Sequence, residues 1–436
     1  MLKTYQESWL NLSHRIFRRG GFVANVGTLL AGNVSAQAIG FLSLPFITRL
    51  YKPDDFGLMT LILSFIGLSS VIASFRYEIS IVLPKNDDSA QNILVLCLFI
   101  VCGYSLLLLI IVPFLKDYVD IWMNVKGIGN LLWLVPVGVF ATGLCQVFRL
   151  WYTRKKKFYL LSICQITTSV TTAGVKISAG LLFGSIAFWL IAGNVLGLLL
   201  AAVIFGFNFI NANYHDFRRN ITKQKIVDAA REFRKFPTYN APTSLINSLS
   251  QNIPNFLFAY YFSPEVVGFY GLASSILRKP ISLLSDAIRR VFLQKVSELQ
   301  SASQSLRGSF VKATLGLAVV GVIPFGAVML GGEWIFSTLF GQTWSTAGHY
   351  SQLLAPWLFL GFINPPATQI ILVKQRLSFD LKWNIVVLIL RAMAIMGASF
   401  ISNEPWVAVA LFSTVGTVAN LYLIGFAFII SDSNKS

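Results

Sequence analysis

Stretches of mostly apolar residues, each about as long as the 20 residues an α-helix needs to cross the hydrocarbon core of a bilayer, recur from Phe22 almost to the end of the 436-residue chain. They leave few segments from which a water-soluble core can be assembled. Composition agrees: 55% of the residues are hydrophobic, 12% are charged, and the mean hydropathy is +0.67, a balance foreign to soluble domains of this length. Inside a bilayer the backbone must satisfy its own hydrogen bonds, so the expected fold class is an all-α polytopic membrane protein. The first twenty residues carry Lys3, Arg15, Arg18 and Arg19 without the apolar core and small-residue cleavage site of a removable signal peptide. The first hydrophobic helix is therefore expected to stay.

The apolar stretches place spans at roughly 22–48, 56–75, 90–114, 129–150, 158–182 and 187–210, and again at 240–261, 266–288, 309–331, 346–372, 381–401 and 405–430, about twelve in all. The expected organisation is a six-helix N-terminal lobe (1–211), a basic linker (212–238) and a six-helix C-terminal lobe (239–436). Net charge is +17, but its placement matters more than its sum. With the N-terminus cytoplasmic, only Arg49, Lys52, Lys116 and Lys126 fall outside. The runs Arg154 to Lys157 and Arg218 to Lys235 fall inside. Topogenic charge thus accounts for the basicity without a nucleic-acid partner, and both termini are expected in the cytoplasm. The segment from Ile226 to Phe236 has the pattern of a surface helix suited to anionic lipid headgroups.

The turn Leu50-Tyr51-Lys52-Pro53-Asp54-Asp55-Phe56-Gly57 is repeated, 211 residues on, as Tyr261-Phe262-Ser263-Pro264-Glu265-Val266-Val267-Gly268, and Leu61 and Ser64 have counterparts in Leu272 and Ser275. In each copy a proline ends one helix, an acidic residue suits the N-terminus of the next, and a glycine permits tight entry. The offset divides the chain into two halves of six spans in the same orientation, a parallel repeat of the kind transporters use, with the substrate site where the repeats meet.

Charges within spans are expensive and mark cavities, and here they are almost all cationic. Arg278 and Lys279 lie midway along the eighth span, just before Pro280, whose missing N–H can open a helix. Lys279 points about 100° away from its neighbour and is equally suited to snorkelling. Lys176 and Arg391 occupy corresponding spans of the two halves, 215 residues apart, about one helical turn from the repeat offset. Cations at similar depth suit a phosphate or pyrophosphate in low dielectric, although each can also snorkel or bind a neighbouring carbonyl. Asn240, Thr243, Asn247, Gln251 and Asn255 form a polar stripe on the seventh span, with Asn25, Asn33 and Gln37 a less regular counterpart on the first. Such amides suit sugar hydroxyls, and they also join helices to one another.

All 18 acidic residues fall in loops or near helix ends, Glu78, Asp286 and Glu333 being nearest to membrane depth. A drug or cation antiporter calls for a buried carboxylate, and a membrane glycosyltransferase or polymerase for a carboxylate-bearing catalytic loop. The outer loops are short, with Asp117, Asp120 and Glu333 as their main acids. Coupling to a proton or sodium gradient stays open. Cys97, Cys102, Cys145 and Cys164 lie in spans without metal-ligand spacing and read as packing residues, and His14, His215 and His349 are scattered. No catalytic group, metal or cofactor is expected.

The stretch Arg76-Tyr77-Glu78 through Ile81-Val82-Leu83-Pro84-Lys85 and the block from Phe233-Arg234-Lys235-Phe236-Pro237 through Ser263-Pro264, Gly268-Phe269-Tyr270, Ala273, Arg278, Pro280 and Val291-Phe292 to Ser297-Glu298 resemble the polysaccharide-unit flippases of the Wzx type. These belong to the multidrug, oligosaccharidyl-lipid and polysaccharide (MOP) exporter superfamily, and the resemblance covers nearly the whole chain. It implies a V-shaped pair of six-helix lobes in a bacterial inner membrane. They would carry an undecaprenyl-pyrophosphate-linked oligosaccharide to the periplasmic leaflet by alternating access, for O-antigen, capsule or exopolysaccharide assembly. It also implies, as partners, membrane lipids, a polysaccharide polymerase and chain-length machinery. Arg278 has the clearest family context, Arg76 at the inner end of the second span would receive the pyrophosphate, and the amides of the first and seventh spans would accommodate sugars.

Overall fold

The computed structural model describes residues 22–125, 127–302 and 304–432, with the side chains of 22–26, 212–220, 279–287, 290, 377, 378, 380 and 381 outside that description. The expectations for His14, Asn25, Lys126, His215, Arg218, Arg219, Lys279 and Asp286 therefore lie outside the described residues.

Among the described residues twelve long helices follow one another: α1 (Phe22–Leu50), α2 (Pro53–Val71), α3 (Asp87–Met123), α4 (Leu134–Arg154), α5 (Phe158–Phe183), α6 (Ala187–Asn220), α7 (Ala241–Tyr261), α8 (Pro264–Ser301), α9 (Arg307–Phe340), α10 (Ser345–Ile363), α11 (Leu377–Ile401) and α12 (Pro405–Asp432). Each coincides with an expected span. Among the described residues nine helices are long and apolar enough to cross a membrane, and α10 with its continuation Pro365–Val373, bent by 42°, makes a tenth. The other two are α7, with its amides, and α8, with Arg278 and Lys279 in its sequence. Polarity within a span is thus concentrated where a cavity would need it. Large apolar side chains point outwards, Leu330 at 89% and Phe400 at 82% exposure, as they do when lipid is the solvent.

Local chemistry sets the helix ends. The Ser263 hydroxyl accepts from the Val266 N–H at 3.3 Å, with Pro264 following at the first helical position, where the missing proline N–H costs nothing. α8 continues past Pro280. With 38 residues it is about 57 Å long, well beyond the bilayer core. Its far end is held by apolar packing of Phe292 and Val296 with Leu306, Phe310, Ile370 and Ala427. Arg307 closes that end through Asp432 at 2.6 Å and the Phe428 ring at 4.2 Å.

The chain forms two compact units: Met1–Tyr51, Ile62–Ile121 and Lys126–Gln251 in one, and Lys52–Leu61, Trp122–Val125 and Asn252–Ser436 in the other. In the first, α1 packs on α5, α5 on α6 and α4 on α6. Gly32 lets α1 approach Ser162, whose hydroxyl donates to the Thr28 carbonyl at 2.9 Å. A linker helix, Lys223–Glu232, is tied back by the Tyr77 hydroxyl donating to the Ala230 carbonyl at 3.0 Å. In the second unit α9 and α12 pack on α10, and α11 packs on α12. The first turns of α2 belong to this unit, and both repeated turns meet there. A Cβ on Gly57 would collide with the Pro264 carbonyl, and one on Gly268 with the Pro53 carbonyl. Phe56 and Phe269, one residue from those glycines, both pack edge-on against the fully buried Trp344, at 4.8 and 5.9 Å.

Candidate functional site

The C-terminal unit contains the constellation that local sequence cannot account for. Arg278 of α8 and Arg391 of α11 both come to one aromatic ring, that of Trp357 in α10, with their guanidinium carbons 4.9 and 4.5 Å from its centroid. Arg391 also lies 5.3 Å from the Phe412 ring, and Phe412 packs edge-on to Trp357 at 5.1 Å. Gly416 of α12 makes the room, since a Cβ there would stand 2.7 Å from the indole nitrogen of Trp357 and 2.8 Å from Nη2 of Arg391. The buried Tyr270 is a hydrogen-bond neighbour of Arg278 and is also acted on by Arg391. Among the described residues no carboxylate pairs with either arginine. The Nε atoms of both are buried without a partner.

Magnitudes decide what this arrangement is for. A guanidinium over an indole gains about 0.5–2 kcal/mol, whereas an arginine at mid-membrane costs roughly 3 kcal/mol or more. Two of them near one ring also repel. The ring alone does not offset those costs, and an anion with acceptors for the orphaned N–H groups does.

Arg391 opens onto a cavity of about 410 Å³, to which Arg289 adds a second cation and in which Thr368, Gln369, Asn384 and Asn420 supply hydroxyl and amide groups. Asn364 stands at the break between α10 and its continuation, where Pro365 and Pro366 deprive the backbone of two donors. Its amide donates to Asn420 Oδ1 at 2.8 Å, leaving its own Oδ1 buried and unpartnered. Asn420 in turn donates to the Trp357 carbonyl at 3.4 Å. Among the described residues no carboxylate lines this cavity.

The remaining sequence candidates are placed as follows. Lys176 is buried in the N-terminal unit, its stem against Gly193 of α6, while its carbonyl accepts from Tyr51 at 2.7 Å. Arg76 pairs with the buried Glu78 at 3.4 Å, and Glu78 also accepts from the Ser74 hydroxyl. Phe75 and Arg76 both sit in the left-handed region, at φ 49° and 64°, which folds Arg76 back towards that acid. Asn33 and Gln37 are half-buried on α1, and Asn247 and Gln251 are exposed on α7. Sequence reasoning missed Trp357, Asn364, Gln369 and Asn420. The Asn364-Pro365-Pro366 run inside an expected span was the signal for that broken helix.

The family model described as polysaccharide biosynthesis protein matches residues 46–348. The chain is 24% identical, over 80% of its length and 69% of the relative's, to lipopolysaccharide biosynthesis protein WzxC of Escherichia coli. It is 21% identical, over 66% of its length and 73% of the relative's, to amylovoran biosynthesis protein AmsL of Erwinia amylovora. Among solved structures it resembles an inward-facing multidrug MATE transporter of the MOP superfamily, with a TM-score of 0.73, 13% identity and coverage of 90% and 94% of the two chains. It also resembles lipid II flippase MurJ, with a TM-score of 0.69, 11% identity and coverage of 92% and 89%. With that fold and that match across most of its length, the chain belongs to the polysaccharide biosynthesis protein family of multi-pass membrane proteins.

Proposed function

We propose that this protein is a flippase that moves a polyprenyl-pyrophosphate-linked oligosaccharide from the cytoplasmic to the periplasmic leaflet of a bacterial inner membrane. The observation that carries the reading is the pair Arg278 and Arg391 on Trp357, with buried unpartnered Nε atoms, beside a polar cavity that no carboxylate lines among the described residues. Two fixed guanidinium forks in a low-dielectric site match a pyrophosphate, which brings acceptors and charge together. A cation or drug antiporter with the same fold would want a carboxylate in that cavity.

In this reading both termini are cytoplasmic, and the six-helix halves 1–211 and 239–436, joined by the linker 212–238, alternate in exposing the site. Arg76, 27% exposed in its side chain and with its own Nε unpartnered, meets the pyrophosphate at the cytoplasmic mouth. Asn33, Gln37, Asn247 and Gln251 accommodate sugars, and Lys176 contributes positive potential from the N-terminal half. The product in the outer leaflet is then available to a polymerase and its chain-length machinery. A proton or sodium gradient supplies the direction.

The test is reconstitution in liposomes with a fluorescent lipid-pyrophosphate oligosaccharide, following transfer between leaflets with and without an ion gradient. Protein-dependent transfer that is lost in Arg278→Ala and Arg391→Ala is expected. Expulsion of an organic cation with no lipid transfer under any gradient would overturn the proposal in favour of an antiporter.

A further inference from the structure

A second cavity, of about 460 Å³, opens at the end of the C-terminal unit where α7 turns into α8, α9 into α10 and α11 into α12. In a chain with 35 basic residues, three of the 18 acidic ones line it: Glu265, Glu333 and Glu404. Glu265 and Glu404 stand at helix N-termini, where they suit the helix dipoles. Glu333 does not, and it instead pairs with His349 Nδ1 at 2.9 Å. Trp406, 47% exposed, forms a wall beside the His349 ring, with centroids 6.4 Å apart. Tyr350 lines the same cavity at only 3% exposure. Glu265 and Glu404 both act on its hydroxyl, which has no hydrogen-bond partner among the described residues.

The acids line a wide space without converging. Among the described residues no three His, Cys, Asp or Glu side chains stand close enough to hold a metal ion. A ligand that fits is larger than an ion and rich in hydroxyls. Carboxylates accept from such hydroxyls, the buried tyrosine supplies a donor, and the indole offers an apolar face to ring C–H groups. A pyrophosphate is repelled by the same acids. We propose that this cavity is a saccharide subsite that takes the sugar end of the cargo, spatially separate from the cationic site that holds its phosphates. The inference rests on the flippase reading, which puts this end of the unit on the periplasmic side.

The test uses the full chain in lipid nanodiscs with the lipid-pyrophosphate saccharide extracted from cells that make it, and the same lipid pyrophosphate stripped of sugar. Labelling of Glu265 and Glu404 by a water-soluble carbodiimide is read by mass spectrometry. The saccharide-bearing lipid is expected to protect both carboxylates and the stripped lipid to leave them labelled. Trp406→Ala is expected to weaken protection by about tenfold, and Tyr350→Phe, which removes one hydroxyl and leaves the fold, by about fivefold. Equal labelling with either lipid overturns the subsite. Leaflet transfer by the same protein reconstituted in sealed liposomes separates the two ideas: transfer without protection removes the subsite alone, and absence of transfer removes the flippase reading.

Discussion

Arg278 and Arg391 meet on one ring, so the geometry of their guanidinium groups is what a substitution there varies. Because Arg391 lies over two rings, its flat guanidinium matters as well as its charge. Arg391→Lys is expected to retain part of the transfer rate and Arg391→Gln to lose more than about tenfold, a difference between point charge and planar fork. Equal loss in both, measured in the liposome assay, would assign the residue to packing. Sequence made these two cations visible because charge inside an apolar span is costly. It did not show that they share Trp357, since which faces of α8, α10 and α11 meet is a property of how the three helices pack. Arg76 illustrates a different limit. Its contact with Glu78 depends on two consecutive left-handed residues, Phe75 and Arg76, and neither is a residue type that signals that conformation.

Most helices were legible because apolar length is a direct physical requirement of the bilayer, which nine of them meet among the described residues and α10 meets with its bent continuation, while α7 and α8 fall short of it. The bend at Asn364 was not legible, although two prolines stood inside the expected span, because a hydropathy window sees composition and not lost donors. Close approach between helices gives two predictions. Gly416→Val is expected to drive Trp357 and Arg391 apart and abolish transfer while the protein still inserts, as read by yield and monodispersity. Gly57→Val or Gly268→Val, each forcing a Cβ into a proline carbonyl, is expected to destabilise the chain by about 1–3 kcal/mol, seen as a lower melting temperature in detergent. A further element-scale device is the latch at the start of α3. Lys155, and after it Arg154, holds the Asp87 carboxyl below the usual carboxylate range, while Arg154 donates to the Pro84 carbonyl at 2.6 Å. A depressed carboxylate contributes stability above its ordinary pKa and loses it as pH falls further. The Asp87→Asn protein is therefore expected to fall slightly short of the wild type in heat stability near neutrality, and to converge with it only as pH falls below about 4 and through the lowered carboxyl pKa.

At the scale of the molecule, the placement of basic residues makes one prediction that is independent of any substrate. Alkaline phosphatase fused after residue 432 is expected to be inactive and a fluorescent protein at the same place to be bright, both reporting a cytoplasmic C-terminus. The reverse pattern would invert the orientation on which the direction of transport depends. The compact units were not legible in the repeated turn that divides the sequence, because the start of α2 folds with the C-terminal unit rather than with the rest of its own helix. That exchange gives the meeting of the repeated turns a further meaning. Gly57 faces the carbonyl of Pro264, and Gly268, its repeat counterpart, faces that of Pro53. Residue i of one copy touches j of the other, and j of the first touches i of the second, which is the signature of an isologous interface between identical subunits. Within one chain the two turns thus meet by the reciprocal exchange that a two-fold axis between them requires, so a change at either glycine is expected to act on its counterpart's contact as well.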